Sequence, residues 1–339
     1  MRQGLAPSRR LVCRVPLRLV AVLLFLLSPA AGTPPTLAEA EAATVAGELE
    51  HAQQLLERTL REPPPSPRAL ELLSTVHRRL GNTDDALAYA DRAVALAPNR
   101  SAAHVTRTRA LRQQLAEAGG LSAVWAIRAI DASTERAVAL APKDVDALMD
   151  RGHFFLYAPS LVGGDLDGAR DIVARLAPLD RVASVALDVA RLRRQDELEA
   201  ALARCRAGLE AHPDAQALHF LLGRLRNEAQ DPAGAERAFR SALVGPDETA
   251  RLDASYKLAK LLIQRGSETD EALTLLRAYL DGLRRSDLLN APSAAWLWIG
   301  RAHEGRGRNA DARAAYEKAL EYDPGQEQAR SALAKLRGR

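Results

Sequence analysis

Residues 293–324 read SAAWLWIGRAHEGRGRNADARAAYEKALEYDP, and their spacing decides the fold. Ala312 and Ala319 stand seven apart, Gly300 lies twelve before the first alanine, and Pro324 follows five beyond the second. Residues seven apart share one helical face. The pattern therefore predicts two antiparallel helices that approach closely where glycine meets alanine. Tyr316, between the alanines, fills the gap toward the next pair, and Pro324 ends the second helix. The arrangement recurs at Ala86, Ala93 and Pro98. It recurs again at Ala235, Phe239, Ala242 and Pro246, with Gly223 twelve residues upstream. Such self-similarity predicts a stacked array rather than one globular core.

The composition agrees. Of 339 residues, 47% are apolar and 27% charged, enough to fold rather than stay disordered. Aromatics are only 4%, which argues against a β-sandwich or barrel. Two cysteines, Cys13 and Cys205, exclude a disulfide scaffold and a cysteine-based zinc site. The net charge of +4 resides at the N-terminus. The first 32 residues carry five arginines and no acid, so the remainder is one charge negative. A nucleic-acid partner is therefore not expected.

The same N-terminus reads as an address. Arginines precede nine apolar residues, Leu19 to Leu27, and then Ser28-Pro29-Ala30-Ala31-Gly32. That is the order of a secretory signal peptide, and the run is too short for a bilayer span of ~20 residues. A periplasmic or secreted protein is expected, the alternative being an inner-membrane tether by an uncleaved segment. Cleavage would leave no membrane span.

The alanine, glycine, aromatic and proline positions resemble the tetratricopeptide repeat, a helix–turn–helix unit of about 34 residues. Residues 293–324 match best, and 67–98 and 216–246 match well. Residues 182–213 and 253–285 are weaker, with Tyr279 where a small residue is usual. Residues 101–142 and 143–178 are degenerate. The resemblance implies an all-α, right-handed superhelix of about seven repeats with a C-terminal capping helix. The expected organisation is a signal peptide at 1–32, a half repeat at 33–66, the solenoid at 67–325 and a cap and tail at 326–339. In one degenerate unit, Ala158-Pro159-Ser-Leu-Val-Gly163-Gly164-Asp165 joins the helices. Pro159 should stop the first helix, Gly163 and Gly164 can take positive φ, and Asp165 is placed to cap the second, Leu166 to Leu176. This loop resembles that of a bacterial exported subgroup, also seen in the T component associated with TRAP-type transporters. It is either a stiff turn or a ligand loop whose free amides meet an anion.

No catalytic pattern emerges. The seven histidines are scattered, and there is no nucleophile elbow, P-loop or dinucleotide fingerprint. No cofactor and no metal are expected. Stacked helical pairs instead imply a concave groove lined by first helices. By register, His153, Tyr157, Arg224, Asn227, Tyr256, Lys260 and Arg301 should face it, along with Glu71, Arg193, Arg194 and Phe220. Arg224, Lys260 and Arg301 should align along one wall. Trp296 reads as core, and Trp298 as pointing away. Cations interleaved with aromatics suit an extended peptide with acidic groups or a small carboxylate. The expected function is a non-catalytic exported scaffold or adaptor holding a protein or peptide partner. The alternative is a ligand-binding accessory of a transport system that takes a small organic anion. Exported protein should begin just after Ala30 to Gly32; N-terminal sequencing that finds Met1 would contradict the reading.

Overall fold

The computed structural model describes residues 36–286 and 292–337, so the signal peptide read at 1–32 lies outside the described residues. Among the described residues there are seventeen α-helices, two short 3-10 turns and no strand. They fall into pairs: α1 (Leu37–Ala46) and α2 (Leu49–Thr59); α3 (Pro67–Leu80) and α4 (Thr83–Leu96); α5 (Ser101–Glu117) and α6 (Gly120–Leu140); α7 (Val145–Tyr157) and α8 (Leu166–Leu176). Next come α9 (Arg181–Arg194) and α10 (Leu198–Ala211); α11 (Gln216–Glu228) and α12 (Pro232–Ala242); α13 (Glu248–Arg265) and α14 (Thr269–Gly282); α15 (Pro292–Gly305) and α16 (Asn309–Tyr322). A single helix, α17 (Glu327–Arg337), closes the array. The fold is an all-α, right-handed tetratricopeptide-type superhelix with a C-terminal cap. The N-terminal segment, expected as helices amounting to a half repeat, holds α1 and α2. Gly47 at φ +79° turns the chain sharply between them.

The pairing works as the spacing demands. Ala86, Ala93, Ala235, Ala242, Ala312 and Ala319 are all fully buried. A Cβ added to Gly300 would overlap the Tyr316 ring, and one added to Gly223 would overlap Phe239. In these two pairs the aromatic ring of the second helix thus lies directly on the backbone of the first. Tyr316 is fully buried, and its hydroxyl donates to Glu304 Oε2 at 2.8 Å. In the pair where the same ring position holds Ala90, the facing residue is Ser74, also buried. Cys205 is sealed in the core, its thiol donating to the Leu218 carbonyl at 3.3 Å, and burial pushes that thiol up to about 11.

Aspartates start many of these helices. Asp144, Asp180, Asp231 and Asp247 each accept a backbone N–H from three residues on, at 2.8–3.2 Å. First helices pack on their own second helices and on the next first helix, so α3, α5, α7, α9, α11, α13 and α15 form one continuous layer. The superhelix also returns on itself. The turn after α14 reaches the N-terminal pair, where Arg284 Nε donates to the Gly47 carbonyl at 3.3 Å and its guanidinium pairs with Glu50. That pairing holds the Glu50 carboxyl below its ordinary range.

The loop between α7 and α8 is a clamp. Only Gly163 adopts positive φ, +103°. Gly164 is required instead by close approach, since a Cβ there would overlap the Ala158 carbonyl oxygen. The amides of Gly163, Gly164 and Asp165 donate to the carbonyls of Ser160, Pro159 and Phe155. They are therefore not free for an anion. Asp165 Oδ1 accepts from Asp167 N at 3.0 Å and begins α8 at Leu166.

Two substitutions test this packing. Gly300→Leu should destabilise by about 2–4 kcal/mol by forcing Tyr316 off its seat; a thermal midpoint shifted by only a degree or two would contradict the close approach. Asp165→Ala should cost about 1 kcal/mol through the lost cap and leave partner binding intact. Loss of binding with unchanged stability would give the loop a contact role instead.

Candidate functional site: a cationic cavity in the first-helix layer

Most groove charges are consumed in holding repeats together. Glu71 is 1% exposed and accepts from the Arg100 guanidinium, twenty-nine residues on, and from Arg68. Arg193 pairs with Glu228, and Arg194 Nε donates to the Leu156 carbonyl at 3.0 Å. On the second helices, Arg240 gathers Glu236, Glu268 and Glu271. These side chains are structural, although Glu71, Arg193 and Arg194 have the sequence register of groove residues.

What remains is concentrated in one place. A cavity of about 380 Å³ lies between α7, α9, α11 and α13. Four of the expected residues, Tyr157, Arg224, Asn227 and Lys260, line it together. Lys257 and Gln264 join them over a floor that includes Leu221, Leu225 and Leu261. Among the described residues, no carboxylate lies within ion-pair distance of Arg224, Lys257 or Lys260, although every neighbouring arginine named above has a partner. The cations strain against one another. Burial, then the charges of Arg224 and Lys260, hold the Lys257 ammonium below its ordinary range. Burial lifts the Asp253 carboxyl to about 6 against the pull of Lys257 and Arg224.

Aromatic rings support the cations from below. The Arg224 guanidinium lies 5.9 Å from the Phe220 ring centre and Lys257 Nζ 5.6 Å from that of Tyr256. Lys260 Nζ and the Arg301 guanidinium share one ring, Trp298, at 5.3 and 4.4 Å. The sequence register points Trp298 away from the stripe and Trp296 into the core. The structure corrects the reading of Trp298, which is 8% exposed, while Trp296, half-buried, does pack against the core on both sides. The first helix touches neighbours on both sides as well as its own partner, so its buried surface extends beyond a single stripe.

The other expected residues are placed as follows. Tyr256 is half-buried against Tyr279, ring centres 5.1 Å apart, and burial raises its hydroxyl. Arg301 lies outside the main cavity. Its Nη2 donates to Gln328 Oε1 at 3.0 Å, and it lines a separate pocket with Glu304 and Lys335. The wall of three cations is thus Arg224 and Lys260 in one cavity, with Arg301 joined to them through Trp298. His153 lines a neighbouring cavity with Tyr157, their rings 6.1 Å apart. Pro159, Gly163, Gly164 and Asp165 line neither of these two cavities but fix the end of α7 from which Tyr157 projects. Sequence register took Tyr256 and Lys260, four apart, as the groove face and passed over Lys257, which stands three residues before Lys260 and so beside it on the helix.

Among the described residues no cluster of His, Cys, Asp and Glu could hold a metal ion, and no helix is long and apolar enough to cross a membrane.

Comparison with known proteins bears on the repeats and the fold. Tetratricopeptide repeat models match residues 37–101 and 190–251, and a second such model matches 293–326. No curated protein matches the chain in sequence. Among solved structures, a thermophilic tetratricopeptide repeat protein of Thermus thermophilus is similar over 56% of this chain and 96% of its own, at 21% identity and a TM-score of 0.47. A tetratricopeptide repeat protein from Parabacteroides merdae covers 89% and 97%, at 13% identity and 0.48. The APC/C hetero-tetramer Cut9–Hcn1 covers 94% of this chain and 59% of its own, at 13% identity and 0.50, which is a likeness of fold. The chain carries tetratricopeptide repeats, matched over 37–101, 190–251 and 293–326, in a solenoid of that type.

Proposed function

We propose that the protein is a non-catalytic exported scaffold whose first-helix groove holds an acidic segment of a protein partner. One observation carries this reading. Arg224, Lys257 and Lys260 converge on a single cavity without a carboxylate in pairing distance, the Glu228 in its wall being paired with Arg193. Three cations outside any ion pair, with a partly apolar floor, favour a carboxylate whose neighbours are apolar. Each charge-assisted contact would contribute ~1.5–3 kcal/mol, and because they share one ligand the losses would not add. Export follows from the leader at 1–32, whose removal leaves the helices of 33–66, the array of 67–325 and the cap at 326–339.

A second reading has its own support. A cavity of about 380 Å³ is also the size of a small-molecule site. That size favours an accessory of a transport system, similar to the TRAP-associated T component, binding a small organic anion in the cavity itself rather than at the loop of Gly163 and Gly164, whose amides are already bonded.

A labelled decapeptide with alternating glutamate and apolar residues is the direct probe. It should bind wild type, more weakly at raised salt. It should not bind Arg224→Glu/Lys257→Glu/Lys260→Glu, whose circular dichroism should stay helical. Binding by that variant at low salt would move the site elsewhere, first to the exposed Trp125. Stabilisation by succinate with no response to the peptide would favour the small-anion reading.

A further inference from the structure

A second cavity, of about 260 Å³, opens beside the cationic one, and Tyr157 stands in the wall of both. It lies between α5, α6 and α7. Leu115, Ile127, Ile130 and Phe154 make it mainly apolar, and Arg112, Asp150 and His153 supply its polar groups. Its volume exceeds the roughly 150 Å³ of an engineered apolar cavity that admits benzene, so an aromatic ring fits.

The polar groups restrict what that ring can carry. Asp150 is 8% exposed; its Oδ1 accepts from Arg112 Nη1 at 2.9 Å, while Oδ2 is buried with no hydrogen bond. Arg112 and Asp150 cancel one another, so the cavity has no net charge to offer. A cationic ligand would meet Arg112, and an anionic one would meet Asp150 with no cation to spare. Among the described residues neither ring nitrogen of His153 makes a hydrogen bond. Burial and then the Arg112 charge pull that imidazole down to about 4, so it is neutral with one donor and one acceptor nitrogen. A phenol hydroxyl, which donates one hydrogen bond and accepts another, matches this pair of groups, whereas a plain hydrocarbon ring leaves both unanswered.

We propose that this cavity is a subsite for the phenol ring of a tyrosine, its hydroxyl held at His153 and Asp150, in the same partner segment whose acidic residue occupies the cationic cavity. The partner assignment rests on the groove reading; the ring specificity does not.

The test uses p-cresol and toluene as the two probes, titrated into the full mature chain while the methyl resonances of Ile127 and Ile130 are followed. p-Cresol should bind at least tenfold tighter than toluene. p-Toluate should not displace it. His153→Leu should keep toluene binding and bring the two probes within about twofold of each other. Equal affinities in wild type, or no response of those methyls to either probe, would overturn the phenol assignment. A decapeptide with glutamate and one tyrosine then separates the two readings. If that peptide binds while p-cresol does not, the subsite falls and the groove stands. If p-cresol binds while the peptide does not, the groove reading falls, and with it the assignment of the ring to a partner segment.

Discussion

The structure depends on the close approach of two helices at a residue too small to hold them apart. Gly300 under Tyr316 and Gly223 under Phe239 bring the second helix onto the backbone of the first, and the fully buried alanines on either side of each ring keep it there. Packing at this density cannot adjust to added volume without moving a helix. Each pair is consequently a stiff unit, and the small rotation between successive units builds the superhelix. The return of Arg284 to Gly47 and Glu50 is where that accumulated rotation brings the array back to its start.

The same stacking determines which charges are free. Where one repeat meets the next, arginines are met by carboxylates about one repeat away, before or after them in the chain: Arg100 with Glu71, Arg109 with Asp146, Arg306 with Asp270. These pairs align the units and leave little field for a ligand. Arg224, Lys257 and Lys260 stand apart from this scheme. Aromatic faces and a shared cavity hold them in place of carboxylates. A binding scaffold needs such an exception, a stretch of groove whose charges remain unanswered until the partner arrives.

Much of the fold is legible in the sequence because its causes are local. The alanine spacing marks the buried faces, and Gly119-Gly120 and Asp165 mark the starts of α6 and α8. The site is less legible, because its causes lie at a distance. Glu71 becomes structural only when Arg100 arrives from the next repeat. Trp298 is covered by Lys260 and Arg301, one of them from the preceding repeat, though its position relative to Trp296 suggests an outward face. Tyr157, Arg224, Asn227 and Lys260 can each be assigned to the groove by register, but only the superhelical rotation brings them to one cavity.

The central claim is that this stretch of the inner layer, rather than the outer surface, meets the partner. Site-specific photocrosslinking in intact cells addresses it most directly, with a photoreactive phenylalanine placed in turn at Tyr157 in the groove and at the exposed Trp125 on α6. The account predicts a discrete adduct from position 157 that disappears when Arg224, Lys257 and Lys260 are reversed to glutamate, and none from position 125. An adduct from 125 alone, or one at 157 indifferent to the charge reversal, would contradict it.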